Sequence, residues 1–114
     1  MADAVIYHNP KCSTSRKTLV LLRDNGIEPD VVQCLKTPPS RAELVKMIRA
    51  AGIDVRTAIR KREALYTELD LADASDDQLL DAMAEHPILI ERPFVVTSKG
   101  TRLARPVDTV REIL

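Results

Sequence analysis

The 114-residue chain has no apolar run longer than about five residues, too short for a membrane span or the hydrophobic stretch of a secretory signal. The expectation is a cytoplasmic protein, in a compartment where thiols stay reduced. It has no surplus of either charge, because seventeen basic and seventeen acidic side chains cancel. That balance is unlike the basic footprint of a nucleic-acid-binding protein, so neither a nucleic acid nor a membrane is an expected partner. Cysteine is scarce: Cys12 and Cys34 supply no zinc spacing and no disulfide framework, and no bound metal or cofactor is expected. Cys34 lies within Val31-Val32-Gln33-Cys34-Leu35, which reads as a buried strand where a free cysteine behaves as a small hydrophobe. The sequence argues only weakly for a bond between the two thiols. Repeats, linkers and low-complexity segments are missing too. The length allows one domain with one core, residues 1–114, and nothing demands a dimer, so a monomer is expected.

What is present reads as alternating strands and helices. Asp3 to Tyr7 is a first strand, and Ser13 to Asn25 a helix with Leu19, Leu22 and, less cleanly, Thr18 and Val20 on its packed side. Gly26 supplies a left-handed stop, and Asp30 to Leu35 forms a second strand, completing a βαβ unit. Ser40-Arg41-Ala42-Glu43 is a capping box opening a helix to Ala51, closed by Gly52, with Leu44, Val45, Ile48 and, less cleanly, Met47 as its apolar face. Asp54 caps a short helix running through Ile59 and Arg60, and Leu65, Tyr66, Leu69 and Leu71 are expected to pack after it. Ser75-Asp76-Asp77-Gln78 is a second capping box, whose helix ends before Pro87. Phe94 to Thr97 and Thr101 to Ala104 form a hairpin, and Pro106 to Leu114 a closing helix with proline in its first turn. This order describes an α/β chain with a thioredoxin-like fold: a four-stranded mixed sheet with a helical insertion between its two halves.

The most informative segment is His8-Asn9-Pro10-Lys11-Cys12-Ser13-Thr14-Ser15-Arg16. It places Cys12 where the first strand ends and the first helix begins. The first N–H groups of that helix have no intrahelical partner and carry partial positive charge, which favours a thiolate and can equally hold an oxyanion. A His8 imidazolium and the hydroxyls of Ser13 or Ser15 could add to that stabilisation. The pattern points to a thiol enzyme acting on a small anion or a disulfide.

Four segments in order carry a resemblance over essentially the whole chain: Tyr7 to Arg16, Thr37-Pro38-Pro39-Ser40-Arg41, Ile90-Glu91-Arg92-Pro93-Phe94-Val95-Val96, and Gly100-Thr101-Arg102-Leu103-Ala104-Arg105-Pro106. They resemble the glutaredoxin-dependent arsenate reductases. The resemblance implies that Cys12 attacks arsenate, that His8 assists, and that Arg60, Arg92 and Arg105 line the oxyanion pocket with Ser15 nearby. Glutathione then joins the adduct as co-substrate, glutaredoxin helps to reduce it, and arsenite leaves. Pro93 matches the cis-proline before the third strand of thioredoxin-like folds. Arginine suits a tetrahedral oxyanion because its charged fork binds bidentately. The chain departs from many relatives in carrying Cys34 where they place tyrosine.

Rival readings make different demands. A regulator of the same fold that contacts RNA polymerase uses Cys-x-x-Cys, but the fourth position here is Ser15. Phosphatase-type arsenate reductases need Cys-x5-Arg, and six residues after Cys12 stands Thr18. A glutathione-dependent thiol reductase or transferase would keep Cys12 and His8 but need no three-arginine cage.

Overall fold

A computed structural model describes residues 4–114. Asp3, expected to begin the first strand, lies outside the described residues. The chain divides into two compact units: the described residues up to Thr37 together with Arg92–Leu114, and Pro38–Glu91.

The first unit is built on a four-stranded sheet. Strand β1 (Ala4–His8) pairs in parallel with β2 (Asp30–Gln33), His8 opposite Gln33, and helix α1 (Ser13–Asp24) connects them. On its other side β1 runs antiparallel to β3 (Phe94–Thr97), which forms a hairpin with β4 (Gly100–Leu103), giving the order β2-β1-β3-β4. Ile6, Leu22, Val95, Ala104, Val110 and Ile113 make the buried cluster. Gly26, at φ 77°, ends α1 as its position in the sequence indicates.

Three expectations for this unit need correction. Val20 is 55% exposed, because the inward stripe of α1 is Ser15, Thr18 and Leu22, and position 20 falls on the opposite side of the helix. Thr18 and Leu22 face inward as expected, and the polar Ser15 joins them. Thr18 is accommodated by donating its hydroxyl to the Thr14 carbonyl at 2.8 Å. Strand β2 is an exposed edge rather than a buried strand, since among the described residues only β1 pairs with it; Val31 and Leu35 both face solvent. The closing segment Val107–Ile113 is a 3₁₀ helix with Pro106 just before it rather than in its first turn. Its buried residues, Val110 and Ile113, repeat every three, the period of that helix.

The second unit is helical. Both capping boxes form, Ser40 with Glu43 and Ser75 with Gln78, opening α2 (Arg41–Ala51) and α5 (Asp76–Glu85), which pack together. Each side-chain cap contributes about 1 kcal/mol. Gly52 closes α2 at φ 72°. Between them lie α3 (Val55–Ala58), capped by Asp54 through the Thr57 N–H, and α4 (Ala64–Glu68). Arg56 fastens this stretch, donating to the Tyr66 hydroxyl and to the carbonyls of Leu71, Ala72 and Ala74. Leu71 is buried, but Leu69, expected to pack, is exposed just beyond the end of α4.

Candidate active site

The loop between β1 and α1 is held by short-range hydrogen bonds that its sequence makes possible. Asn9 begins a turn in which its Oδ1 accepts the Lys11 N–H at 3.0 Å and its backbone carbonyl accepts the Cys12 N–H at 3.0 Å. Such side-chain turns are what asparagine provides at turn positions, and the following Pro10 favours turn initiation. Arg16 reaches back from α1 to donate to the Pro10 carbonyl at 2.8 Å. Cys12 is the residue before the first turn of α1, extended at φ −91° and ψ 120°, and its carbonyl accepts the Arg16 N–H. Its sulfur thus stands at the N-terminal end of a twelve-residue helix.

The β3–β4 hairpin supplies the cations. Pairing of Phe94 with Leu103 sets the segments carrying Arg92 and Arg105 side by side at one end of the hairpin. Arg105 Nε donates to the Arg92 carbonyl at 2.9 Å, which orients the guanidinium so that Nη2 meets the Cys12 sulfur at 3.5 Å. Arg92 is 4% exposed, an uncommon degree of burial for an arginine, and its positive charge acts on Cys34, pulling that thiol's pKa down against the upward push of burial. The Arg92–Pro93 bond is cis; so is Arg105–Pro106, which the sequence reading did not include. Helix terminus and guanidinium together favour a negative sulfur, and the same donors suit the oxygens of a bound anion.

His8 and Ser15 lie against each other inside the first unit. His8 is buried at the end of β1, with Nδ1 2.6 Å from Ser15 Oγ. Burial, and secondarily the positive charges of Arg16 and Arg23, hold its pKa below the ordinary 6.5. At neutral pH it is therefore an uncharged ring, and the positive field at Cys12 comes from Arg105 and the helix rather than from an imidazolium. Ser15, expected to touch sulfur or substrate, is fully buried. Its Oγ is engaged with His8 and also accepts the Asn9 N–H at 3.1 Å. It ties the end of β1, the Asn9 turn and α1 together.

Arg60 lies in the second unit, where Nε meets Glu63 at 3.2 Å and Nη1 meets Glu91 at 3.1 Å. A cavity of about 350 Å³ opens beside the loop in the first unit, lined by His8, Asn9, Pro10, Lys11, Gln33, Leu35 and Lys36. Among the described residues no three His, Cys, Asp or Glu side chains gather as metal ligands, and no helix is long and apolar enough to cross a membrane. The role of Asn9 was not anticipated, although an Asn-Pro pair marks a turn; nor was the influence of Arg92 on Cys34, which nothing in the sequence announces.

Comparison with known proteins gives consistent matches. The family model described as ArsC family matches residues 7–113, and so runs through both units. A protein of Rhizobium meliloti (strain 1021) named arsenate reductase is 61% identical over 96% of this chain and 79% of its own length. An Escherichia coli protein of the same name is 54% identical over all of this chain and 82% of its own. The structure of an arsenate reductase from Vibrio cholerae superposes with a TM-score of 0.93 at 51% identity, covering 99% of this chain and 98% of that one.

Proposed function

The chain belongs to the ArsC family, and on that premise we propose that it reduces arsenate to arsenite, with Cys12 as nucleophile and with glutathione and glutaredoxin as the source of electrons. The observation that carries the reading is the Arg105 guanidinium on the Cys12 sulfur at the N-terminus of α1. A thiolate is the form of cysteine that attacks, and both neighbours favour it. Arsenate carries between one and two negative charges at neutral pH, so it is drawn to the cations that favour the thiolate.

Cys12 attacks arsenic, a sulfur–arsenic bond forms, and one arsenate oxygen leaves as water after protonation. Glutathione then adds to the adduct, and glutaredoxin completes the reduction. In the sum, arsenic gains two electrons, two thiols become one disulfide, and arsenite is released. Arg105 and Arg92 stabilise the negative charge that builds on the arsenate oxygens. The family resemblance assigns Arg60 to the same task. Its pairing with Glu63 and Glu91 means that it takes up an oxyanion only by releasing a carboxylate. Lys11 and Lys36 in the cavity lining are suited to the two carboxylates of glutathione. Dependence on the reduced thiol pool places the enzyme in the cytoplasm.

The test is alkylation of Cys12 at neutral pH with and without arsenate, alongside turnover with each reductant omitted in turn. The expected result is protection by arsenate and no turnover without glutathione. Ready alkylation that arsenate does not slow would favour a glutathione-dependent thiol reductase with another substrate. Arsenate turnover sustained by a dithiol protein without glutathione would overturn the proposed reductant.

A further inference from the structure

The reaction above has no use for Cys34, yet this residue belongs to the same cluster of side chains. The backbone brings it there. Its N–H donates to the His8 carbonyl at 3.1 Å, extending the β1–β2 pairing one residue beyond Gln33. The Cys12 N–H donates to the next carbonyl along, that of Asn9, at 3.0 Å. The two cysteines are therefore anchored to successive carbonyls of one loop.

The side chains repeat the connection. Arg105 meets the Cys12 sulfur and holds the Arg92 carbonyl, and the charge of Arg92 in turn acts on Cys34. Cys34 is 2% exposed, whereas Cys12 is partly open to solvent. A dissolved oxidant therefore reaches Cys12 first. Burial pushes the Cys34 thiol up from its ordinary range, Arg92 pulls it back in part, and negative charge on Cys12 adds a smaller upward push. That last influence disappears once Cys12 is converted to a neutral, oxidised form.

We propose that Cys34 is the resolving thiol for an oxidised Cys12, closing a Cys12–Cys34 disulfide that stops arsenate reduction reversibly. The inference rests on the thiolate character given to Cys12 in the proposed function. Hydrogen peroxide is the oxidant. The Cys12 thiolate takes one peroxide oxygen, giving sulfenic acid and hydroxide. Cys34 sulfur then attacks Cys12 sulfur, the S–O bond breaks, and the departing hydroxide takes up the Cys34 proton as water. The two thiols together lose two electrons, and the peroxide becomes two molecules of water. Without a partner thiol, Cys12 continues to sulfinic and sulfonic acids, which a dithiol does not reverse.

The experiment exposes the reduced, folded full chain to a small excess of hydrogen peroxide, blocks remaining thiols by alkylation, and measures intact mass and tryptic peptides. Arsenate turnover is recorded before treatment, after it, and after dithiothreitol. The expected product has lost two hydrogens and yields peptide Cys12–Arg16 joined to Asp24–Lys36, with turnover lost and then recovered. The Cys34→Ser variant is expected to gain two or three oxygens on Cys12 and to stay inactive after dithiothreitol. Oxygen gain on Cys12 in the unaltered chain without the joined peptide overturns the inference, as does a Cys12 that stays a free thiol. The joined peptide alone decides the matter if Cys34→Ser does not fold. A joined peptide in a protein that never turned over arsenate would sustain the Cys12–Cys34 bond while refuting the proposed substrate, and with it the claim that the bond stops arsenate reduction.

Discussion

Replacing Ser15 by alanine removes one oxygen from a fully buried site, and the structure sets the size of the effect. That oxygen accepts the Asn9 N–H at 3.1 Å and lies 2.6 Å from His8 Nδ1. Both partners are themselves buried, so each loses its hydrogen bond where water cannot replace it. A buried polar group left without a partner costs about 1–3 kcal/mol. Two such groups give a gross loss of about 2–6 kcal/mol, from which the better helix propensity of alanine recovers about 0.5 kcal/mol. At the lower end of that range, with about 2 kcal/mol lost, the melting temperature should fall by roughly 8 °C for a chain of this size. The urea midpoint should move down by about 1 M. The assay is paired thermal and urea unfolding of the wild type and Ser15→Ala, with arsenate turnover measured well below both midpoints. Turnover should fall as well, because the same hydroxyl fixes the turn that carries Cys12. Unchanged stability together with a selective rise in the KM for arsenate would refute the reasoning and return Ser15 to the substrate-contacting role that the sequence suggests.

His8 should make stability depend on pH in one direction. Its native pKa lies below 6.5, so the unfolded chain takes up a proton more readily and stability falls as pH drops below that value, levelling off beneath the native pKa. Urea titrations between pH 7.5 and pH 5 should show that decline in the wild type and a shallower one in His8→Gln; parallel curves would contradict it. Arg105→Ala should lower kcat/KM on the order of 10²–10³-fold, as loss of an oxyanion donor does, and slow Cys12 alkylation at neutral pH. Arg105→Lys should recover only part of this, because lysine cannot reach the Arg92 carbonyl and the Cys12 sulfur with one planar group; full recovery would show that charge alone matters. Ser40→Ala should cost about 1 kcal/mol in urea unfolding with turnover unchanged.

Much of this was legible because local chemistry decided it. The two capping boxes form as written, since Ser40 with Glu43 and Ser75 with Gln78 carry their own hydrogen-bond partners. Cys12 could be placed at a helix start because an apolar strand and a helical pattern meet there. The hairpin pairing that sets Arg92 beside Arg105 follows from two short strands around a glycine turn. Features decided by tertiary surroundings were hidden. Ser15, on the inner side of α1, is a polar residue whose burial depends on His8 as a partner. Whether β2 was central or at an edge depended on which strands β1 would accept. The charge state of His8 depends first on burial, which its own segment does not reveal, and then on Arg16 and on Arg23, the latter lying outside that segment. Cys34 reads as a small hydrophobe and is indeed buried, but under the influence of the Arg92 charge.

The central claim is that the Cys12 sulfur attacks arsenate. The direct measurement is arsenate-dependent NADPH oxidation, coupled through glutathione, glutaredoxin and glutathione reductase, for the wild type and Cys12→Ser at equal concentration. The account predicts turnover by the wild type and none above background by a folded Cys12→Ser. Retained turnover in Cys12→Ser would contradict it.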